Sequence, residues 1–217
     1  MPPPQRDERD RLHSALVGLC FERGFHNVEL WALFARAGLD RAAFDRHFDD
    51  LEDCFFTAFE VEADRYRREY APSPEEFPDW RERVRATLYA LFRFLAADRR
   101  RARFVIVDSQ VAGERTRLLT GRLIEALFDL IDEGRAELEN PDSLSRATAE
   151  AVGGGVLNQV YAAVARPIRL PDEQELVPEL MYCVVLPYSG LEAALEELYI
   201  PPPPNRAAPS PLGARRG

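Results

Sequence analysis

The chain has 217 residues, 46% of them hydrophobic, and carries a formal net charge of −9. That length exceeds one small domain and falls short of two full-sized ones, and the apolar content suffices for a sizeable core. The negative balance argues against indiscriminate nucleic-acid binding but leaves room for a local patch. No apolar run approaches the ~20 residues of a membrane span. The first twenty residues lack the apolar stretch of a secretory signal, so a cytoplasmic location without membrane contact is expected.

In chain order, Leu12, Leu16, Leu19 and Cys20 form the stripe of a first helix that stops at Arg23-Gly24. A short helix over 29–36 turns Leu30, Leu33 and Phe34 inward and breaks at Ala37-Gly38. Asp40 is a good N-cap for a third helix over 41–47, and Asp50 for a fourth, in which Phe55, Phe56, Phe59, Ala63 and Tyr66 recur at helical steps. The segment "APSPEEFPDW" (71–80) is a Pro-rich joint. Val84, Leu88, Leu91 and Leu95 mark the next helix. Ala102, Val105 and Ile106 mark a shorter one, and Leu119 to Ile131 a longer one that stops near Gly134.

Two long helices complete the order, about 143–165 and 173–198, separated by "ARPIRLPD". Gly153-Gly154-Gly155 should either break the first of them or mark a close approach, since each glycine costs ~1 kcal/mol against alanine. Pro187 should kink the second. Residues 199–217 are Pro-rich with nothing to bury, and are expected to be a disordered tail. No alternating strand pattern occurs, so the fold class is all-α with about nine helices.

The three cysteines (Cys20, Cys54, Cys183) lie among apolar residues and are expected to be small buried hydrophobes. The three histidines form no i, i+4 pair and no cluster with cysteine, so no metal or cofactor is expected. No nucleophile–base pair or phosphate loop marks an enzyme.

Three short helices with Gly38-Leu39 between the second and third have the proportions of a helix-turn-helix. The stretch "LVGLCFERGFHNVELWALFARAGLDRAAFDRHFDDLEDCFFTAF" (16–59) resembles the N-terminal domain of TetR-family transcriptional regulators. The matching residues are Phe21, Glu22, Gly24, Phe25, Leu33, Ala37, Gly38, Leu39, Phe44, His47 and Phe48. The resemblance implies a helix-turn-helix DNA-binding domain over 8–50 and a ligand-binding and dimerisation domain over 51–198. It places Arg41, Ala42, Asp45, Arg46 and His47 at operator DNA. It implies a small apolar effector in the body, for which Trp80, Tyr89, Phe92, Phe104, Phe128, Asn158 and Tyr161 are the candidate lining residues. It further implies a homodimer through the last two long helices, one striped by Ala147, Ala151, Val160 and Ala163 and the other by Leu180, Val184, Leu191, Leu195 and Leu198; an intramolecular core face is the alternative for these stripes.

The implied function is a ligand-responsive transcriptional regulator, most often a repressor in such families. Three positions depart from the pattern. Glu29 stands where relatives carry a backbone-touching Thr, Asp45 where they carry a phosphate-binding Tyr, and Leu51 where they carry a Lys. From Gly24 to Asp53 the carboxylates Glu29, Asp40, Asp45, Asp49, Asp50, Glu52 and Asp53 face only Arg36, Arg41 and Arg46. Phosphate neutralisation supplies most non-specific affinity for DNA. The alternative is therefore a helical dimer of the same fold with weakened or lost DNA binding, serving a small molecule or a partner protein.

Overall fold

The computed structural model describes residues 4–166 and 172–203. The expected tail beyond 203 and the "PIRLP" link (167–171) lie outside the described residues. Among these, nine α-helices and no strand occur: α1 (Pro4–Arg23), α2 (Leu30–Ala37), α3 (Arg41–Asp45), α4 (Leu51–Glu69), α5 (Trp80–Ala97), α6 (Arg99–Ile106), α7 (Glu114–Asp132), α8 (Arg146–Ala165) and α9 (Glu173–Glu197). The all-α expectation holds.

Side-chain caps set several helix starts. Asp40 accepts from the Ala43 amide at 2.8 Å, Asp50 from Asp53 at 2.8 Å, and Asp79 from Glu82 at 3.0 Å. Each satisfies an amide that has no partner inside its helix. At the end of α2, Gly38 takes a left-handed conformation (φ 63°), and the Leu39 amide bonds back to the Phe34 carbonyl at 3.1 Å. A side chain would strain that turn, so the glycine sets the angle between α2 and α3. The third helix ends at Asp45, two residues short of the expected limit. Its end is closed by the His47 and Phe48 amides, both on the Phe44 carbonyl.

The chain buries two cores. The N-terminal one takes Leu12, Leu16 and Cys20 from α1, Leu33 from α2 and Phe44 from α3. It is completed by Phe55 and Phe59 of α4 and by Phe104 of α6. Phe104 stacks on Phe55 with ring centroids 4.0 Å apart, and Phe55 meets Phe25 edge-on at 4.9 Å. One helix of the body thus closes the core beneath the helix-turn-helix. The second core gathers α5, α8 and α9 around Leu88, Tyr89, Phe92, Val160, Met181 and Val184.

Within α5 and α9, Arg85 and Glu197 form a bidentate pair at 2.7–2.9 Å, and both are buried. Paired charges of this kind are tolerated inside a core because each satisfies the other's hydrogen bonds. The contact holds the end of α9 after the helix breaks at Gly190 (φ 80°). The interruption expected from Pro187 therefore sits three residues later, at the glycine. The triple glycine leaves α8 continuous. Gly153 faces Phe128 so closely that a Cβ would lie 2.5 Å from its ring, whereas Gly154 and Gly155 meet nothing within 4 Å. Only the first of the three is a packing glycine. Cys20 and Cys54 are buried as expected, but Cys183 is exposed on α9. It occupies an outward position of a helix whose inner face is already filled by Val184 and Met181.

Candidate nucleic-acid interface and effector body

The outer face of α3 presents Arg41, Ala42 and Asp45 to solvent, because Ala43 and Phe44 are the buried side of this short helix. Arg41, 71% exposed, spans one turn to Asp45, 49% exposed, at 3.2 Å. The other two candidates point elsewhere. Arg46 donates to both oxygens of Glu8 on α1, at 3.0 and 3.1 Å. His47, only 9% exposed, places Nε2 2.9 Å from the same carboxylate. Hydrogen bonds from His47 and then Arg46 hold the Glu8 carboxyl below its ordinary value. Arg36 is likewise engaged, with Glu22 at 2.6 Å. All three arginines between Gly24 and Asp53 therefore donate to carboxylates.

Several acids of the segment have structural uses. Asp40 and Asp50 are the caps already described. Asp53 accepts from Arg115 of α7 at 2.7 Å, and Arg115 lies 4.1 Å over the Phe56 ring, so this carboxylate docks α4 onto the body. Asp45 remains on the outer face with Arg41 as its neighbour. Two features escaped the sequence reading. Trp31, 64% exposed, stands on the same side of the domain as Glu29, to which its indole N–H donates. Arg11 of α1 donates to the Ala37 carbonyl at 2.6 and 3.1 Å and to the Gly38 carbonyl at 2.9 Å, fixing the turn from below. An exposed tryptophan inside an apolar stripe gives no sequence signal of its own, and charged residues on α1 are read by default as solvated.

A further contact ties this unit to the body. Asp108, buried just after α6, accepts from the Phe25 amide at 3.0 Å. Burial pushes its carboxyl above the ordinary range, and the Phe25 amide and the Arg103 guanidinium at 3.9 Å pull it back.

The candidate lining residues of the body are scattered. Tyr89 and Phe92 are buried in the second core, where Trp80 also donates its indole N–H to the Leu130 carbonyl at 2.8 Å. Phe128 packs on Gly153, Phe104 belongs to the N-terminal core, and Asn158 and Tyr161 are exposed on α8. The structure does not bring them into one cavity. A surface groove of about 480 Å³ runs instead along α7, lined by Arg117, Leu118, Gly121, Arg122, Glu125, Ala126 and Asp129. The expected dimer stripes also divide. Val160, Leu180 and Val184 are buried within the chain and Ala163 is half-buried, whereas Ala147, Ala151, Leu191, Leu195 and Leu198 are exposed. Among the described residues no helix is long and apolar enough to cross a membrane.

No protein-family model matches the chain. The HTH-type transcriptional activator FasR of Mycolicibacterium smegmatis is 24% identical over 133 residues, a match spanning 59% of this chain and 60% of FasR. Solved structures align over most of their length. The fatty acid degradation regulator FadR from Bacillus halodurans superposes with a TM-score of 0.67 at 18% identity, covering 85% of this chain and 96% of that one. FadR from Bacillus subtilis in complex with stearoyl-CoA gives 0.64 at 18% identity, covering 83% and 98%. A TetR-like transcriptional regulator from Rhodococcus sp. RHA1 gives 0.61 at 18% identity, covering 84% and 96%. At these identities the likeness is one of fold, and at that level it agrees with the helix-turn-helix geometry: the chain has the all-α fold of the TetR-family transcriptional regulators.

Proposed function

We propose that the protein is a cytoplasmic, ligand-responsive transcriptional regulator, a repressor that engages operator DNA as a homodimer. The observation that carries this reading is the pairing of a helix-turn-helix with a body that ends in an unburied apolar face. The helix α3 offers a solvent-facing surface at Arg41 and Ala42, held from beneath by α1 and α4. Tyr161 on α8, Leu186, Leu191 and Leu195 on α9, and Leu198 and Tyr199 in the turn after α9 are exposed large apolar residues. A row of this kind on a soluble fold supports burial against a second copy of the same patch. A two-fold pair would present two reading heads to one duplex.

The effector is a small apolar molecule. Support comes from α7, where Thr116 and Ile131 are the buried residues while Leu118 and Leu123 are exposed and Leu119, Ile124, Leu127 and Leu130 are half-buried. A helix so loosely covered is the place where the body has apolar surface to offer a ligand. The solved neighbour that holds stearoyl-CoA makes a long-chain acyl-CoA the first molecule to try, its acyl chain supplying the apolar part and its phosphates staying outside it.

A second reading, the same dimer with weakened or lost DNA binding, is favoured by the carboxylate on each of Arg36, Arg41 and Arg46. Fluorescence anisotropy with the duplex upstream of the protein's own gene, across a salt series and with acyl-CoA added, separates the two. Salt-sensitive binding released by the ligand supports a regulator. No binding at the lowest salt refutes it and leaves the second reading. A reporter driven from that upstream region gives the sign of regulation.

A further inference from the structure

The reading head holds its cations as well as being acidic. Glu8 lies one turn into α1 and receives Arg46 through two contacts and His47 through a third, from residues 38 and 39 positions away. The carboxylate is sheltered, about a fifth exposed, and His47 is covered almost completely. Arg46 stays half exposed, so the shelter lies on the Glu8 and His47 side, where solvent screens less than around a fully exposed pair. The buried side of α1 consists of Leu12, Ala15, Leu16, Leu19 and Cys20, so the packing of α1 does not itself call for a charge at position 8.

We propose that Glu8 is a positioning residue that withholds Arg46 and His47 from DNA, acting as an internal competitor for the phosphate. The inference rests on the DNA-binding reading above and deepens it. A guanidinium satisfies a carboxylate and a phosphate by the same charge-assisted geometry. Before Arg46 can meet a duplex it must leave Glu8, and the carboxylate, left with His47 alone, then sits beside a polyanion without its guanidinium. The exchange yields little net neutralisation, so affinity is held down and its dependence on salt is shallow. Arg41 is restrained by Asp45 in the same manner, but through a single exposed contact that screening weakens. Glu8 is therefore the stronger of the two restraints.

The test uses the full chain and compares native protein with Glu8→Gln, which keeps the size of the side chain and an accepting oxygen but removes the charge. Anisotropy is measured on the upstream duplex and on a scrambled duplex, across a salt series. Glu8→Gln is expected to bind both roughly ten-fold more tightly at low salt, with a salt slope steeper by about one phosphate contact. Glu192→Gln, the same charge change at an exposed site on α9, is expected to alter neither. Arg46→Ala should weaken the native protein by less than about three-fold yet abolish most of the gain in Glu8→Gln, a coupling that a cycle of the four proteins reads directly.

A merely structural Glu8 would lower the melting temperature or the affinity without steepening the slope, and that outcome overturns the proposal. If native protein binds and Glu8→Gln matches it in affinity and slope, the proposal fails while DNA binding stands. If neither binds at the lowest salt, both fail. Binding by Glu8→Gln alone supports the proposal and identifies Glu8 as the lock. Should Glu8→Gln fail to fold, Arg46→Ala decides: a loss comparable to that of Arg41→Ala means that Arg46 was never withheld.

Discussion

Replacing His13 tests whether the core beneath the reading head carries a built-in sensitivity to acid. His13 lies on α1 with its ring 5.4 Å from that of Phe48, and Nε2 is buried without a hydrogen-bond partner among the described residues. Burial, reinforced by Arg9 and His47 and opposed by Asp10, lowers its pKa from the ordinary 6.5 to about 4. The folded protein thus keeps the imidazole neutral in a range where the unfolded chain takes up a proton. The unfolded state binds more protons between these two values, so stability is fully present above pH 6.5 and is lost as pH falls toward 4.

A pKa that differs by one between the folded and unfolded chain is worth about 1.4 kcal/mol. Integrating the linkage gives a loss of about 2 kcal/mol by about pH 5 and about 3 kcal/mol by about pH 4 from this residue. His13→Leu removes the titration and the unpaired nitrogen at nearly constant volume. Urea unfolding followed by circular dichroism, at fixed protein concentration from about pH 7.5 to 4.5, should show the variant gaining on the native protein by about 2 kcal/mol at about pH 5. Other groups titrate in both proteins and cancel in the difference. Asp108 and Glu62, for example, are both pushed up by burial and so act in the opposite sense. Parallel stability curves for the two proteins would refute the reasoning.

Gly153→Ala should destabilise the chain by about 1–3 kcal/mol, because its Cβ would collide with the Phe128 ring. Gly154→Ala, with open space around it, should be neutral or gain up to ~1 kcal/mol in the melt; equal shifts in the two would mean that α8 does not pack on α7 as described. Leu191→Glu, at a position 57% exposed, should leave the helical spectrum intact while moving the light-scattering mass from a dimer to the 24.7 kDa of one chain. A native protein that already scatters as one chain would remove the homodimer. Asp45→Tyr should free Arg41 and tighten binding to every duplex without changing the preferred sequence, since phosphate contacts position rather than specify; loss of binding would make Asp45 a base reader or a cap.

How much of the fold and the site was legible in the sequence follows from the range over which each signal acts. The caps at Asp40 and Asp50, the turn at Gly38 and the burial of Phe44 and Phe48 are local, and spacing within a few residues exposes them. The partners of Phe104 are not local. The sequence offers it as a candidate to line the effector site, and only the fold places it on Phe55 in the N-terminal core, away from Tyr89 and Phe92. The triple glycine posed the same difficulty, because helical spacing cannot say which of three glycines meets a neighbour and which meet open space.

The charges of α1 show the limit most clearly. In "RDERDR" (6–11) an alternation of signs reads as a solvated face, yet Glu8 and Arg11 stand three residues apart and so lie on one side of the helix. Arg11 receives the carbonyls that end α2, where a cation is favoured by the helix C-terminus. Glu8 accepts from Arg46 and lies within hydrogen-bond distance of His47, the two residues that follow α3. One turn of α1 therefore holds the end of α2 through Arg11 and the residues after α3 through Glu8. From the other side, Phe104 and Asp108 of the body hold Phe55 and Phe25. A tilt of α1 relative to α6 acts on both sets of contacts at once. The helix-turn-helix is thereby joined to the body through side chains that no periodicity in the sequence announces.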